Sequence, residues 1–269
     1  MPIPLGDRSE RLAAIRTLTK KRGRLDRGRF LVEGTTLLAE ALRSGVAAEA
    51  VFGTEAGYRR VAALGLGPFT EEASFLVGER AMRSLSDLDT PPGVVAVCEG
   101  TIFPTAALLA EGEPVLLLAG LADPGNAGTL LRSAEAFGVS RTIFGKGTVE
   151  PYNPKVVRGS MGSIFRTKLA IASPDELASA ALESGYSVVA STRGGVPLHG
   201  FAFPARTVLA IGSERHGVDG WLRAWDAAVG IPHVGPTESL NAAVAGSIVL
   251  YEFALSRGSS SILSTRREP

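Results

Sequence analysis

The sequence predicts an α/β protein of two domains. Short apolar runs alternate with apolar residues at helical spacing in both halves of the chain. A stretch at 101–113, with Pro104 and Gly112 and with Pro114 just beyond, interrupts that rhythm. In the second half the apolar runs end in polar, glycine-bearing loops, and open α/β sheets bind ligands at the carboxyl ends of their strands. A length of 269 residues holds one large domain or two small ones, and 45% hydrophobic residues supply an ample core.

Residues 9–21 read as a helix because Leu12, Ile15 and Leu18 recur at helical spacing. Strands are predicted at 29–32, 50–52, 75–77 and 94–98, with helices at 35–43, 55–64 and 79–88 between them; Gly45 closes the first. These elements make residues 1–100 a small α/β domain, 101–113 a linker, 114–258 a second domain and the Ser-rich 259–269 a flexible tail. In the second domain the run 115–119 is a buried strand. Ser173, Pro174 and Glu176 form a capping box that opens a helix to about 184. Strands follow at 187–191, 207–211 and 229–231, and then a long apolar helix at 240–255. That helix is apolar around most of its circumference, which predicts burial on more than one side.

Composition narrows the possible functions. Net charge is +1, so any nucleic-acid footprint must be local. One such patch stands out: Lys20, Lys21, Arg22, Arg24, Arg27 and Arg29 fall within ten positions, against the single acid Asp26. With Gly23 and Gly28 the segment reads as a mobile cationic loop suited to phosphate, or as a solvated charged turn. Cys98, the one cysteine, sits in an apolar run and reads as a buried structural thiol, in keeping with a reducing cytoplasm. The start of the chain lacks a signal-peptide pattern, and its apolar runs are too short to span a membrane. There is no phosphate-binding G-x-x-x-x-G-K-[ST], no dinucleotide G-x-G-x-x-G after a strand and no G-x-S-x-G elbow. His199, His216 and His233 are scattered without ligand partners, so no metal is expected.

Four segments carry the chemistry. The loop at 123–126 turns into a helix whose free N–H groups can hold an anion, with Arg132 about two turns in. In 152–163, Lys155 and Arg158 are three apart and can leave one helix face together. Segment 211–218 offers Gly212, Ser213, Glu214 and Gly217 directly after a strand, which suits a ligand approaching bare backbone. The fourth runs from Ile231 and Pro232 to Ser239, Leu240 and Asn241; Ser239 can cap the long helix, and Asn241 can turn its amide toward a ligand or toward solvent. Each alone is equally well a capped helix, a solvated basic pair or a tight turn.

Together, in this order, they resemble the SpoU (TrmH-like) family of SPOUT methyltransferases. The resemblance rests on Asn126 to Arg132, on Gly212, Ser213 and Glu214 with Gly217, and on Ile231 and Pro232 followed by Ser239, Leu240 and Asn241; 154–162 is also similar. It covers about 114–256. The resemblance implies a parallel-sheet domain with a deep trefoil knot, a homodimer, S-adenosylmethionine as methyl donor and an RNA ribose 2′-hydroxyl as acceptor. It implies Asn126, Arg132, Glu214, Ser239 and Asn241 as the catalytic centre, and Thr192, Gly212, Ser213, Gly217, Ile231, Pro232 and Leu240 as donor contacts. The basic stretch followed by 29–34 resembles an L30e-like substrate-binding domain, with Lys20, Lys21, Arg22, Arg24, Lys155 and Arg158 as expected RNA contacts. A separate N-terminal domain favours 23S ribosomal RNA as substrate, by analogy. Transfer RNA, a methylated base or a non-catalytic ribosome assembly factor are the alternatives. The family mechanism makes the arginine a base. A guanidinium loses its proton too reluctantly for that, so Arg132 is better placed as a donor to phosphate and developing negative charge, with Glu214 orienting it or taking the proton.

Overall fold

The computed structural model describes residues 1–258 apart from 68, 233 and 236–238. The expected tail, and His233, Thr237 and Glu238 near the fourth segment, lie outside the described residues. In chain order the elements begin with β1 (Ile3–Pro4), α1 (Glu10–Arg16), α2 (Lys21–Arg27), β2 (Arg29–Glu33), α3 (Thr35–Arg43), β3 (Ala48–Gly53) and α4 (Glu55–Ala63). There follow β4 (Ser74–Leu76), α5 (Glu79–Ser84), β5 (Val94–Glu99), α6 (Thr105–Ala110), β6 (Val115–Ala119), α7 (Pro124–Ala136) and β7 (Arg141–Gly145). The last are α8 (Pro154–Gly159), β8 (Lys168–Ala172), α9 (Pro174–Glu183), β9 (Ser187–Pro197), β10 (Thr207–Gly212), β11 (Ala227–Gly230) and α10 (Ala242–Ser256).

These elements group into two compact units. One is Met1–Thr101 with Glu150–Arg166; the other is Ile102–Val149 with the chain from Thr167 onward. Residues 150–166, expected in the second domain, group with the first unit. Residues 101–113, expected as a linker, contain α6, whose Leu108 and Leu109 are buried in the second unit's core, and Phe103 bridges to Ala170. Pro104 and Gly112 mark the two ends of a short helix rather than a flexible joint.

The first unit holds a mixed sheet of order β1-β4-β3-β5-β2, in which β5 runs antiparallel to both β2 and β3. Its core joins Leu12 and Leu18 to Leu31, Phe52, Phe75, Val95 and Val97. Cys98 is fully buried and its thiol is pushed up to about 12, chiefly by burial, which suits a structural role. The predicted helix at 9–21 is shorter: Ser9 caps α1, a 3-10 turn at Thr17–Thr19 follows, and the basic segment forms α2. The expected loop is therefore a helix, stopped by Gly28 in the left-handed conformation.

The second unit is built on a wholly parallel sheet of order β11-β9-β10-β6-β7-β8. Both faces are covered, so β6 is buried along its whole length, which explains its unbroken apolar run. The Ser173 capping box is present, and the Glu176 carboxyl is pushed down to about 2 by the Ser173 backbone N–H and by Lys146. From β6 the chain steps outward through β7 and β8, then crosses to β9 and inserts β10 beside β6. The strand order thus reverses between β6 and β10, where Gly212 stands opposite Ala119. Such a reversal opens a crevice at the strand ends. The last helix, α10, packs on α7: Leu130 lies against Gly246, and the Ser133 and Ser247 hydroxyls are 2.7 Å apart.

Candidate functional site

Beyond the carboxyl ends of β9, β10 and β11 lies a cavity of about 720 Å³. Three local features of the sequence shape it. The first is at Gly212, where β10 ends and the chain turns back through a Ser213–Gly217 bridge. A Cβ on Gly212 would lie 2.0 Å from the Gly217 carbonyl carbon, so only glycine permits this turn and leaves backbone facing the cavity.

The second feature is an irregularity in β9. Ala228 of β11 stands opposite Ala190, but its neighbour Val229 stands opposite Val196, so β9 bulges outward over residues 191–195. Ser191, Thr192, Arg193 and Gly194 all line the cavity. Gly195 closes the bulge, because a Cβ there would sit 2.3 Å from the Val229 carbonyl carbon.

The third feature is the cap of α10. Asn241, rather than Ser239, is the capping residue: its Oδ1 accepts from the N–H groups of Ala243 (2.9 Å) and Val244 (3.2 Å). Its Nδ2 then donates to Asn126 Oδ1 at 3.0 Å, and Asn126 Nδ2 donates to Glu214 Oε1. The Asn126 backbone N–H is held in turn by Asp123 Oδ1, at 2.8 Å. The neighbouring ends of β6 and β10 bring together residues 88 and 115 positions apart in sequence. The result is a hydrogen-bonded chain ending on a carboxylate that lines the cavity.

Six of the seven expected donor contacts line this cavity: Thr192, Gly212, Ser213, Gly217, Ile231 and Leu240; Glu214 and Ser239 line it too. Pro232 is exposed and is not among the lining residues. Sequence reasoning missed Arg193 and Trp225. The Gly194-Gly195 pair inside a strand pattern was the available sign of a bulge, whereas nothing in the sequence set Trp225 apart.

Arg132 is exposed on α7, outside the lining, and makes no hydrogen bond or ion pair among the described residues. Thr129 and Ala136 share its exposed face. On the adjacent α10, Val244, Tyr251 and Leu255 form an outward stripe, each about half exposed at 49%, 48% and 50%.

The basic residues divide in two. Lys20, Lys21, Arg22 and Lys155 are exposed. Arg24 is not, and its expected RNA role is corrected. Its guanidinium is buried against Glu150, with Nε 3.0 Å from both carboxylate oxygens and Nη2 2.5 Å from Oε2, while Nη1 donates to the Leu18 carbonyl at 2.9 Å. Arg158 is likewise engaged: its Nη1 donates to Asp87 at 2.7 Å and to Glu33 at 3.2 Å, so two carboxylates already answer its charge. Burial pushes the Glu33 carboxyl up, against the Ser86 hydrogen bond and Arg158, which pull it down.

Residues 113–251 match the SpoU rRNA Methylase family. The chain belongs to that family. Residues 10–96 match the MRM3-like substrate binding domain, so the first unit of this SpoU protein also has a counterpart. Among curated relatives, the 23S rRNA (guanosine(2553)-2′-O)-methyltransferase RlmP of Bacillus subtilis is 30% identical over 237 residues, 87% of this chain and 92% of that protein. The AdoMet-bound rRNA methyltransferase of Sinorhizobium meliloti superposes with a TM-score of 0.80 at 29% identity, over 96% of this chain and 98% of that one. AviRb of Streptomyces viridochromogenes, a SpoU methyltransferase solved with AdoMet, superposes at 0.76 with 26% identity, over 94% and 99% of the two chains. No helix among the described residues is long and apolar enough to cross a membrane, and none of them form a metal-holding cluster.

Proposed function

We propose that this SpoU protein transfers the methyl group of S-adenosylmethionine to a ribose 2′-hydroxyl of ribosomal RNA, with 23S rRNA as target. The observation that carries it is the Asn126–Glu214–Asn241 hydrogen-bonded chain at the rim of the cavity. The cavity suits the donor. Its volume is that of a small-molecule site, Ile211, Val218, Ile231 and Leu240 give an apolar wall for a purine, and Gly212 offers bare backbone. The donor brings a methyl group already activated on a sulfonium. What remains for the protein is the hydroxyl, a poor nucleophile until its proton is drawn away.

In this reading Glu214 accepts the hydroxyl proton. Asn126 holds one carboxylate oxygen, and Asn241 holds Asn126, so the carboxylate is oriented before RNA arrives. Ser239 lines the same cavity. Arg132 donates to phosphate and to the forming alkoxide. The trefoil knot implied by the family is part of the same reading, as is a cytoplasmic location among ribosomal RNA. Incubation with labelled donor and bacterial ribosomal RNA, followed by nucleoside digestion, is expected to yield a 2′-O-methyl nucleoside. A base-methylated product, or RNA binding without transfer, would refute it.

The protein acts as a homodimer in this proposal. The Val244, Tyr251 and Leu255 stripe, flanked by the exposed face of α7, is apolar surface that a second copy covers. Arg132 then lies at the joint between copies. Light scattering at micromolar concentration should report twice the chain mass, and a monomer would refute the pairing.

Lys20, Lys21, Arg22 and Lys155 supply RNA affinity without chemistry, being exposed cations. Neutralising Lys20, Lys21 and Arg22 together is expected to weaken RNA binding at least about tenfold at moderate salt and to flatten its salt slope by roughly two units. Donor binding should be unchanged. Undiminished RNA affinity would make the α2 cluster a solvated helix face.

A further inference from the structure

We infer that Arg193 is the counter-ion of the carboxylate on the methyl donor's amino-acid end. The inference rests on the donor-site reading above and goes beyond it to a residue that neither the family motifs nor the sequence pattern singled out.

The structural ground is the β9 bulge. A central parallel strand gives up its register with β11 over residues 191–195, and every residue from 191 to 194 faces the cavity as a result. Bulges beside binding sites serve to re-aim side chains. The one charged side chain on this bulge is Arg193. It is exposed at the cavity and makes no hydrogen bond or ion pair among the described residues. The backbone of the bulge is also packed closely against β11. Gly195 is wedged against the Val229 carbonyl carbon, and the Arg193 carbonyl oxygen would lie 3.4 Å from a Cβ placed on Gly230.

Ligand chemistry supplies the rest. The donor carries two cationic groups, a sulfonium and an ammonium, and one anionic group, its carboxylate. Besides Glu214, which faces the hydroxyl in that reading, the lining holds one further carboxylate, Asp219, which suits the ammonium. The donor carboxylate needs the opposite partner, and a guanidinium matches a carboxylate in a planar, bidentate fashion. Arg215 also lines the cavity, but it stands at the tip of the exposed turn closed by Ser213 and Gly217. Arg193 sits on the bulge, whose backbone is packed against β11.

The test compares two probes that share adenosine and a thioether but differ at the amino-acid end. S-adenosylhomocysteine carries the carboxylate; 5′-methylthioadenosine lacks it. Calorimetry on the full-length protein is expected to show that Arg193→Ala weakens S-adenosylhomocysteine by roughly ten- to a hundredfold, as for loss of a charge-assisted pair. Methylthioadenosine affinity should stay within about twofold of wild type. Arg193→Lys should recover part of the loss. An equal loss for both probes would mean a disturbed bulge and overturn the inference. So would no loss for either, an equal loss of S-adenosylhomocysteine in Arg215→Ala, or a defect confined to the KM for RNA, which would assign Arg193 to phosphate. Failure of the wild-type protein to bind either probe would instead refute the donor-site reading itself.

Discussion

Replacing Arg132 with Ala is expected to slow single-turnover methyl transfer by roughly a hundred- to a thousandfold, the usual loss when one donor to a developing oxyanion is removed. Donor affinity should be unchanged, because Arg132 is not among the residues lining the cavity. Its side chain is exposed, and its removal breaks no hydrogen bond or ion pair among the described residues. The Lys variant separates two roles. Lysine keeps the charge but loses the planar fork, and its ordinary pKa near 10.4 falls readily where it is desolvated. If Arg132 works by bidentate contact to phosphate and alkoxide, Arg132→Lys recovers little at any pH. If it abstracts the proton, Arg132→Lys gains activity as pH rises, because the neutral amine is the base. The deciding measurement is the single-turnover rate against pH for wild type, Ala and Lys. Light scattering on each variant distinguishes a lost dimer from a lost donor. Wild-type rates in a dimeric Arg132→Ala protein would remove the residue from the catalytic centre.

The cavity was largely legible in the sequence because its walls are motifs at strand ends. Gly212, Ser213 and Gly217 come at the end of the plain apolar run of β10, Ile231 and Leu240 lie between β11 and α10, and all five line the cavity. The chain from Asn241 through Asn126 to Glu214 was legible only as three separate polar residues; the contacts depend on β6 and β10 being neighbours, which no local pattern states. Arg193 was invisible for a related reason, since its direction is set by a register shift against β11. The strands β7 and β8 carry a weaker local signal than β6, because each opens on a basic residue. Arg24 shows the opposite error. Sequence spacing placed it in a solvated cluster, whereas its partner Glu150 lies 126 positions away. A charge run says which residues are cationic, not which of them a distant carboxylate has already claimed.

Glu150→Ala should destabilise the first unit by about 3–5 kcal/mol, the cost of leaving one partner of a buried ion pair uncompensated. Both side chains are almost wholly buried, at 4% and 5% exposure, so water cannot replace the lost carboxylate. Among the described residues, only the Leu18 carbonyl would remain as an acceptor for the Arg24 guanidinium. The double variant Arg24→Met with Glu150→Leu should regain most of that stability, because apolar residues of similar volume remove both charges from the interior together. Chemical denaturation followed by far-ultraviolet circular dichroism, with hydrogen exchange on residues 1–101, reads the effect. A Glu150→Ala protein within about 1 kcal/mol of wild type would show that the pair contributes little. The same double variant tests the functional half of the correction. If Arg24 is purely structural, its removal with Glu150 leaves the salt dependence of RNA binding unchanged. If Arg24 touches a phosphate, the slope falls by roughly 0.7–0.9, as one counter-ion fewer is released.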